Sequence, residues 1–244
     1  MKVSALRRFA TVVPHSAGVV IGALHPAYRT GRSIFSSRVF DPDEVQRVLK
    51  SGHQSRKIGK TVTKGHWRGF PIFTLTLEER ATCPRSCEEW ARCYGNNMQA
   101  AERIVAGPAL EMALRDELAE LQRKHPRGFA VRLHVLGDFY STEYVDLWAD
   151  ALATCPALRV FGFTARDPIS DPIGEAIAVL AQAHPHRFAM RFSGYSGRTR
   201  GAITIEHDEQ TDHIVCPAQL EKTDCCATCA LCWHSDRTIA FIRH

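Results

Sequence analysis

From Phe70 onward, strand-like and helix-like periodicities take turns along the chain. Residues 70–77, 129–136, 158–164 and 188–193 are dense in aromatic, β-branched and other apolar residues and read as strands. Between them the apolar positions recur at helical spacing. Leu110, Leu114, Leu118 and Leu121 form one stripe. Ser141 or Thr142 caps a second helix carrying Tyr144, Val145, Trp148 and Leu152, and Ser170-Asp171-Pro172 opens a third with Ile173, Ile177 and Leu180. Two shorter apolar runs, 202–205 and 213–215, read as late strands. Upstream, Asp41-Pro42-Asp43-Glu44 supplies a capping side chain, a proline at the first helical position and an acidic residue three places after the cap; Val45, Val48 and Leu49 then share a face and Gly52 ends it. This predicts a short helix, followed over 51–69 by a polar, basic connection or hairpin.

Strands alternating with helices imply right-handed crossovers and an α/β fold with a mainly parallel sheet, open or curled into a partial (β/α) barrel, ending in a Cys-rich C-terminal segment. The division along the chain is a basic N-terminal extension, 1–69, with one short helix and partly flexible, and an α/β cysteine-cluster domain, 70–244. In such folds the loops leaving the C-terminal strand ends gather at one face and build the site. Here those loops are Cys83 to Cys93, Gly137-Asp138, Ala165-Arg166-Asp167 and Gly194-Tyr195-Ser196-Gly197.

With 45% hydrophobic and 23% charged residues over 244 positions, the chain is long enough to bury a real core, which excludes a disordered or collagen-like protein. No run approaches the roughly eighteen apolar residues of a membrane span, so a cytoplasmic protein without membrane contact is expected. Charge is uneven: residues 1–80 hold 14 Lys and Arg against 5 Asp and Glu, and the remainder 17 against 21, so the basic character belongs to the N-terminal third. Arg56, Lys57, Lys60, Lys64 and Arg68, with Trp67 among them, suit the tracking of nucleic-acid phosphates, or equally a solvated arm. The opening Met1 to Arg38 resembles a targeting segment only loosely and is set aside from the fold argument.

Eight of the nine cysteines fall in two tight groups. Tight grouping on a chain with a full core reads as metal ligation in a reducing compartment rather than as a disulfide scaffold. Cys83-x3-Cys87-x5-Cys93 follows the first strand; three thiolates this close wrap three corners of a cubane 4Fe-4S cluster and leave one iron open. The second group is Cys216-Pro217 and Cys225-Cys226-x2-Cys229-x2-Cys232. The C-x2-C-x2-C run from Cys226 has ferredoxin-type spacing, with Cys216 as the remote fourth ligand. Zinc is the alternative at either group, more seriously at the second. One cluster, two clusters and a single site shared by both groups all remain open. Cys155 reads as a small buried apolar residue.

Around these groups, Gly137 and Asp138 suit close backbone approach and hydrogen bonding to a ligand, or a turn ahead of Ser141. Tyr94, Asn96 and Asn97 follow the first triplet closely enough to support its ligands. Arg166 and Asp167 suit a charged ligand or each other. Arg191, on a strand, is expected to be solvated more often than buried. His207, His213 and His234 lie near the second group without ligand-like spacing.

Thr82-Cys83-Pro84 with Ser86-Cys87, Cys93-Tyr94-Gly95, Leu133-His134 with Gly137-Asp138-Phe139, Cys216-Pro217-Ala218 and Cys229-x2-Cys232-Trp233 resemble the phage-derived gene product 88 family, from about Phe70 to the C-terminus. The cysteine loop and the Gly-Asp also resemble radical S-adenosylmethionine (SAM) enzymes. That resemblance implies a catalytic cluster on Cys83, Cys87 and Cys93 and SAM contacts at Gly137 and Asp138, although the last spacing is x5 rather than x2 and a single Gly-Asp replaces a Gly-Gly-Glu. The leading expectation is a radical-SAM-like enzyme acting on an unidentified small molecule or macromolecule, with an auxiliary C-terminal cluster. The alternatives are a metal-stabilised nucleic-acid-binding protein of phage or plasmid origin, and a redox or iron sensor.

Overall fold

The computed structural model describes residues 18–194, 200–206 and 209–243. The strands are β1 (Val39–Phe40), β2 (Lys50–Ser51), β3 (Ile72–Thr74), β4 (Arg103–Ile104), β5 (Phe129–Leu133), β6 (Leu158–Thr164), β7 (Phe188–Ser193), β8 (Gly201–Ile205), β9 (Ile214–Val215) and β10 (Ile239–Ile242). The α-helices are α1 (Pro26–Thr30), α2 (Pro108–Lys124), α3 (Thr142–Thr154), α4 (Pro172–Ala183), α5 (Cys226–Cys229) and α6 (Leu231–His234). β1 and β4 form a two-stranded parallel pair, and the other eight strands make one sheet in the order β2-β3-β5-β6-β7-β8-β10-β9. Among the pairings of these described strands, only β2–β3 is antiparallel.

From β3 to β8 the strands lie side by side in chain order, so the sheet is wound in one direction and stays open. α2, α3 and α4 supply the crossovers and share one face. Their buried stripes, such as Leu110, Leu114, Leu118 and Leu121 of α2, meet Phe129, Val131 and Leu133 of β5 in the larger core. Each of those leucines stabilises the fold by about 1.5–3 kcal/mol through burial. The alternate positions of the sheet, Ile72, Ala130, Phe161 and Ala189, face the opposite way and are covered by Ile58, Val62 and Trp67 together with Ala227, Ala230 and Trp233. The protein therefore has three layers: helices, sheet, and a cysteine-bearing layer built from the 51–69 stretch and the C-terminal segment.

The helix expected after Asp41 does not form. The capping box is present, with Asp41 N–H donating to Glu44 Oε2 at 2.8 Å, but only the 3-10 turn Pro42–Glu44 follows. A tertiary partner wins: the Glu117 carboxylate of α2 accepts from the backbone amides of both Val48 and Leu49 at 2.8 Å, which takes those amides away from a helix while their side chains enter the core. β10 is an unanticipated strand. It inserts between β8 and β9, and Gln219 locks its end by exchanging hydrogen bonds with the Ile242 backbone. Among the described residues no helix is long and apolar enough to cross a membrane.

His134, just past β5, is enclosed by Phe139 and Tyr144, with Nε2 3.1 Å from the Tyr144 hydroxyl. Burial, reinforced by Arg132, lowers its pKa to about 3, so the fold holds it neutral. The unfolded chain takes up that proton below about pH 6.5, and the stability difference is lost as pH falls from there toward 3, by about 1.4 kcal/mol for each pH unit crossed. Urea unfolding across this range should show a shallower acid loss for His134→Gln than for the wild type; parallel pH dependences would contradict the assignment.

Candidate functional site

The first cysteine loop is fixed from beneath by buried charge. β3 runs on through Leu75 and Leu77, whose amides bond the carbonyls of Arg132 and Leu136, and the chain then presents Glu78, Glu79 and Arg80 to the interior. Glu79 pairs with Arg103 at 2.7 Å, both side chains fully buried, and also accepts from Ser33 Oγ at 2.8 Å. Arg103 spends its other N–H groups on the carbonyls of Gly95, Met98 and Ala101. Arg80, in a left-handed backbone conformation (φ 64°), donates to the Trp90 carbonyl at 3.0 Å and to Asn96 Oδ1 at 2.6 Å. Two guanidinium groups thus bind the carbonyls on either side of Cys93.

Within this frame Cys83, Cys87 and Cys93 lie within electrostatic range, the charge of Cys83 feeling both others, but among the described residues they are not drawn together tightly enough to hold a single metal ion. A backbone amide faces each sulfur, from Arg80, Glu89 and Gly95 respectively. Burial is the main cause of raised thiol pKa values: Cys83 well above its ordinary range, Cys87 to about 12, Cys93 upward. Such thiols keep their protons until a cation displaces them. Arg80 Nη1 is buried without a hydrogen-bond partner among the described residues.

Asp138 ties this loop to its neighbours. Its Oδ1 accepts from Thr164 Oγ1 at 2.7 Å and from the Phe139 amide, its Oδ2 accepts from the Ala165 amide at 2.7 Å, and its own N–H donates to Thr82 Oγ1. Burial still raises its pKa, to about 6. Gly137 (φ +83°) is required for this contact, since a Cβ there would stand 2.6 Å from Leu77 Cβ and 2.7 Å from Thr82 Oγ1. The close approach that glycine permits is therefore to the cysteine loop itself. Arg166 adds a second tie, donating to the carbonyls of Phe139 and Thr82 and pairing with Asp171, not with Asp167. Asp167 instead accepts from the amides of Ile169 and Ser170.

A cleft of about 190 Å³ opens beside Cys87, walled by Ser86, Glu88, Glu89, Asp167, Ser193 and Gly194 among others. Glu89 is paired with Arg243 at 2.7 Å. The remainder of the expected fourth loop, Tyr195-Ser196-Gly197, lies outside the described residues, as do His207 and residues 1–17 of the stretch read for targeting. On the far side of the triplet the Lys57 ammonium sits 5.0 Å from the Tyr94 ring centroid. Asn97 Oδ1 accepts from the Val19 amide at 3.1 Å, and Asn96 is buried between Val19, Ala91 and Arg80.

The C-terminal group is separate. Cys216, Cys226, Cys229 and Cys232 line one small cavity, about 10 Å³, closed by Leu231, Trp233 and Ile239. Cys225 turns away: it opens α5 with Thr228 in a capping arrangement, and its sulfur packs so closely on Gly59 that a Cβ there would lie 2.7 Å from it. Arg191 is fully buried, contrary to the commoner solvated case, because it collects the carbonyls at the end of α6, including Cys232 at 3.0 Å and Arg237 at 2.8 Å. Arg132 stands near Cys226 and Cys232 from the sheet side. Burial raises Cys232 to about 11 and lifts Cys226 and Cys229 as well. Among the described residues no three His, Cys, Asp or Glu side chains are drawn together tightly enough to hold a single metal ion. Cys155 is buried, with Sγ 3.8 Å from the Leu118 carbonyl, and all nine cysteines are free thiols.

The residues that sequence reasoning missed are the buried charges: Glu79, Arg80 and Arg103. Their signal was present as Glu78-Glu79-Arg80 directly after an apolar strand, where a loop bound for solvent has no need of so abrupt a change. Arg103→Met would leave the Glu79 carboxylate buried without its partner, and we expect a loss of about 3–5 kcal/mol with faster labelling of Cys93 by a thiol reagent. Unchanged urea stability and unchanged labelling would contradict the role given to the pair.

The comparisons with known proteins agree with one part of the sequence reading and extend it. No curated protein and no solved structure matches the chain. The match that exists begins well before Phe70 and takes in the basic stretch that packs on the cysteine layer: the model of the Gene product 88 family covers residues 47–235, and the chain belongs to that family.

Proposed function

We propose that this chain is an iron–sulfur protein performing radical-SAM-like chemistry, with Cys83, Cys87 and Cys93 as ligands of an open-site 4Fe-4S cluster and Cys216, Cys226, Cys229 and Cys232 as ligands of a second, closed one. What supports this reading is that three thiols in mutual electrostatic range lie on the loop that follows β3 of a mainly parallel sheet, beside a cleft that opens at Cys87. The donor set suits the group. Three sulfurs leave a fourth corner free, amides face each sulfur, and the unpartnered Arg80 Nη1 is a buried donor of the kind that tunes cluster sulfur. At the second group four thiols face an apolar enclosure, which suits a cluster that meets no substrate. Zinc on these four cysteines is the alternative occupant.

A cluster at the first triplet would supply an open iron and, once charged by an external reductant, the electron for cleavage of the SAM sulfonium bond. The chain's own part is binding and position. The cleft walled by Ser86, Glu88 and Ser193 receives the ligand beside Cys87, and the Glu88 carboxylate suits its ammonium group. Gly137 and Asp138 act through Thr82, holding the loop that carries Cys83 against the ends of β5 and β6. Tyr94 and Asn97 brace the opposite side.

Anaerobically reconstituted protein given SAM and dithionite should release methionine and 5′-deoxyadenosine. Cys87→Ala should reduce release to background while keeping the wild-type circular dichroism spectrum. Failure of the iron-loaded protein to bind SAM, or equal release from the variant, would overturn the reading.

A further inference from the structure

The stretch 45–77 contains no acidic residue. Its central part folds as a hairpin: the Ile72 amide bonds the Lys60 carbonyl at 2.9 Å, Thr61 bridges Pro71, and Val62 closes the turn by bonding the backbones of Gly69 and Phe70. The hairpin is docked on the second cysteine segment. Cys226 and Ala227 donate their amides to the carbonyls of Lys57 and Ile58 at 2.9 Å, and the Thr63 amide returns a bond to Ala227. Trp67 stacks on Trp233 with ring centroids 5.4 Å apart and planes 4° from parallel. Ile58, Val62 and Trp67 are thereby buried, and the side chains left outward are Arg56, Lys60, Lys64 and Arg68, all exposed.

These four cations differ from many others in the protein. Arg32, Arg47, Lys50, Arg166, Arg200 and Arg243 each have a carboxylate partner, whereas Arg56, Lys60, Lys64 and Arg68 make no ion pair and no side-chain hydrogen bond among the described residues. A fold that fixes like charges together without counter-ions presents a field to an anionic partner. The large apolar side chains that are exposed lie elsewhere, at Val19, Val20, Leu24, Met112 and Ile169 among others, so the hairpin offers nothing to insert into a bilayer.

We propose that this hairpin is a nucleic-acid-binding surface, on which Arg56, Lys60, Lys64 and Arg68 engage phosphates of one strand. Recognition of this kind is read from charge and spacing, so it is indifferent to base sequence. It rests on the cations alone and stands or falls separately from the cluster chemistry at Cys83, Cys87 and Cys93.

The test is fluorescence anisotropy of labelled single-stranded DNA, duplex DNA and RNA between about 50 and about 200 mM salt, with phosphatidylserine vesicles in parallel. The wild type should bind nucleic acid and lose affinity steeply with salt. The variant K60E/K64E/R68E, whose altered side chains are exposed and unpaired, should bind at least about tenfold more weakly with a log–log salt slope shallower by about two to three. The milder Lys64→Gln should flatten the slope by about one, and Arg115→Glu on the helical face should change nothing. Absence of salt-dependent binding, equal binding by the triple variant, or binding to vesicles with none to nucleic acid would overturn the proposal.

Discussion

The buried Glu79–Arg103 pair is the constraint on which the cysteine loop depends. A fully enclosed ion pair is costly to desolvate and persists where its remaining hydrogen-bonding groups are also satisfied. Here Arg103 reaches three carbonyls between Gly95 and Ala101, and Glu79 also takes a hydroxyl from Ser33. The chain from Cys93 to Arg103 has little regular structure of its own, so these bonds do for it what a helix or strand ladder does elsewhere. Arg80 performs the same service for the Trp90–Asn96 turn. The result is an irregular loop tied down by side-chain hydrogen bonds, with its three cysteines half-buried.

The one-way winding of the sheet then decides what that loop meets. With α2, α3 and α4 on one face, the opposite face carries the 51–69 hairpin and the C-terminal segment, including α5 and α6 of the β9–β10 connection. Asp138 shows the consequence at atomic scale: a carboxylate at the end of β5 receives donors from the end of β6 while its own amide reaches the loop after β3. The second cysteine group lies on the sheet's other face, backed by Arg132 and Arg191, whose positive charge suits a polythiolate site. The two groups are neighbours through Lys57, whose carbonyl holds the Cys226 amide and whose ammonium covers the Tyr94 ring.

Where local pattern and tertiary packing agree, the sequence is legible. β6 and β7 and the helices α2, α3 and α4 follow their apolar periodicities, and the α/β parallel sheet follows from their alternation. The Asp41 turn is different: its local capping signal is genuine, but Glu117, distant in sequence, claims the amides that a helix would have needed. Arg191 could not be placed from alternation alone, because its burial depends on carbonyls at the end of a helix some forty residues later. β10 depends likewise on partners on both sides. At the site, grouping the cysteines needed only their spacing, whereas Glu79, Arg80 and Arg103 needed the three-dimensional path of the loop, for which spacing gives no rule.

We propose that the two cysteine groups hold two distinct iron–sulfur centres. The most direct measurement is iron, acid-labile sulfide and zinc content, with the visible absorption spectrum, of anaerobically purified wild type and of a variant with Cys83, Cys87 and Cys93 all replaced by alanine. Two centres should give iron and sulfide in equal amounts in the wild type, falling by about half in the variant as one of the two clusters is lost. Zinc without sulfide, or iron and sulfide unchanged by the substitutions, would contradict it.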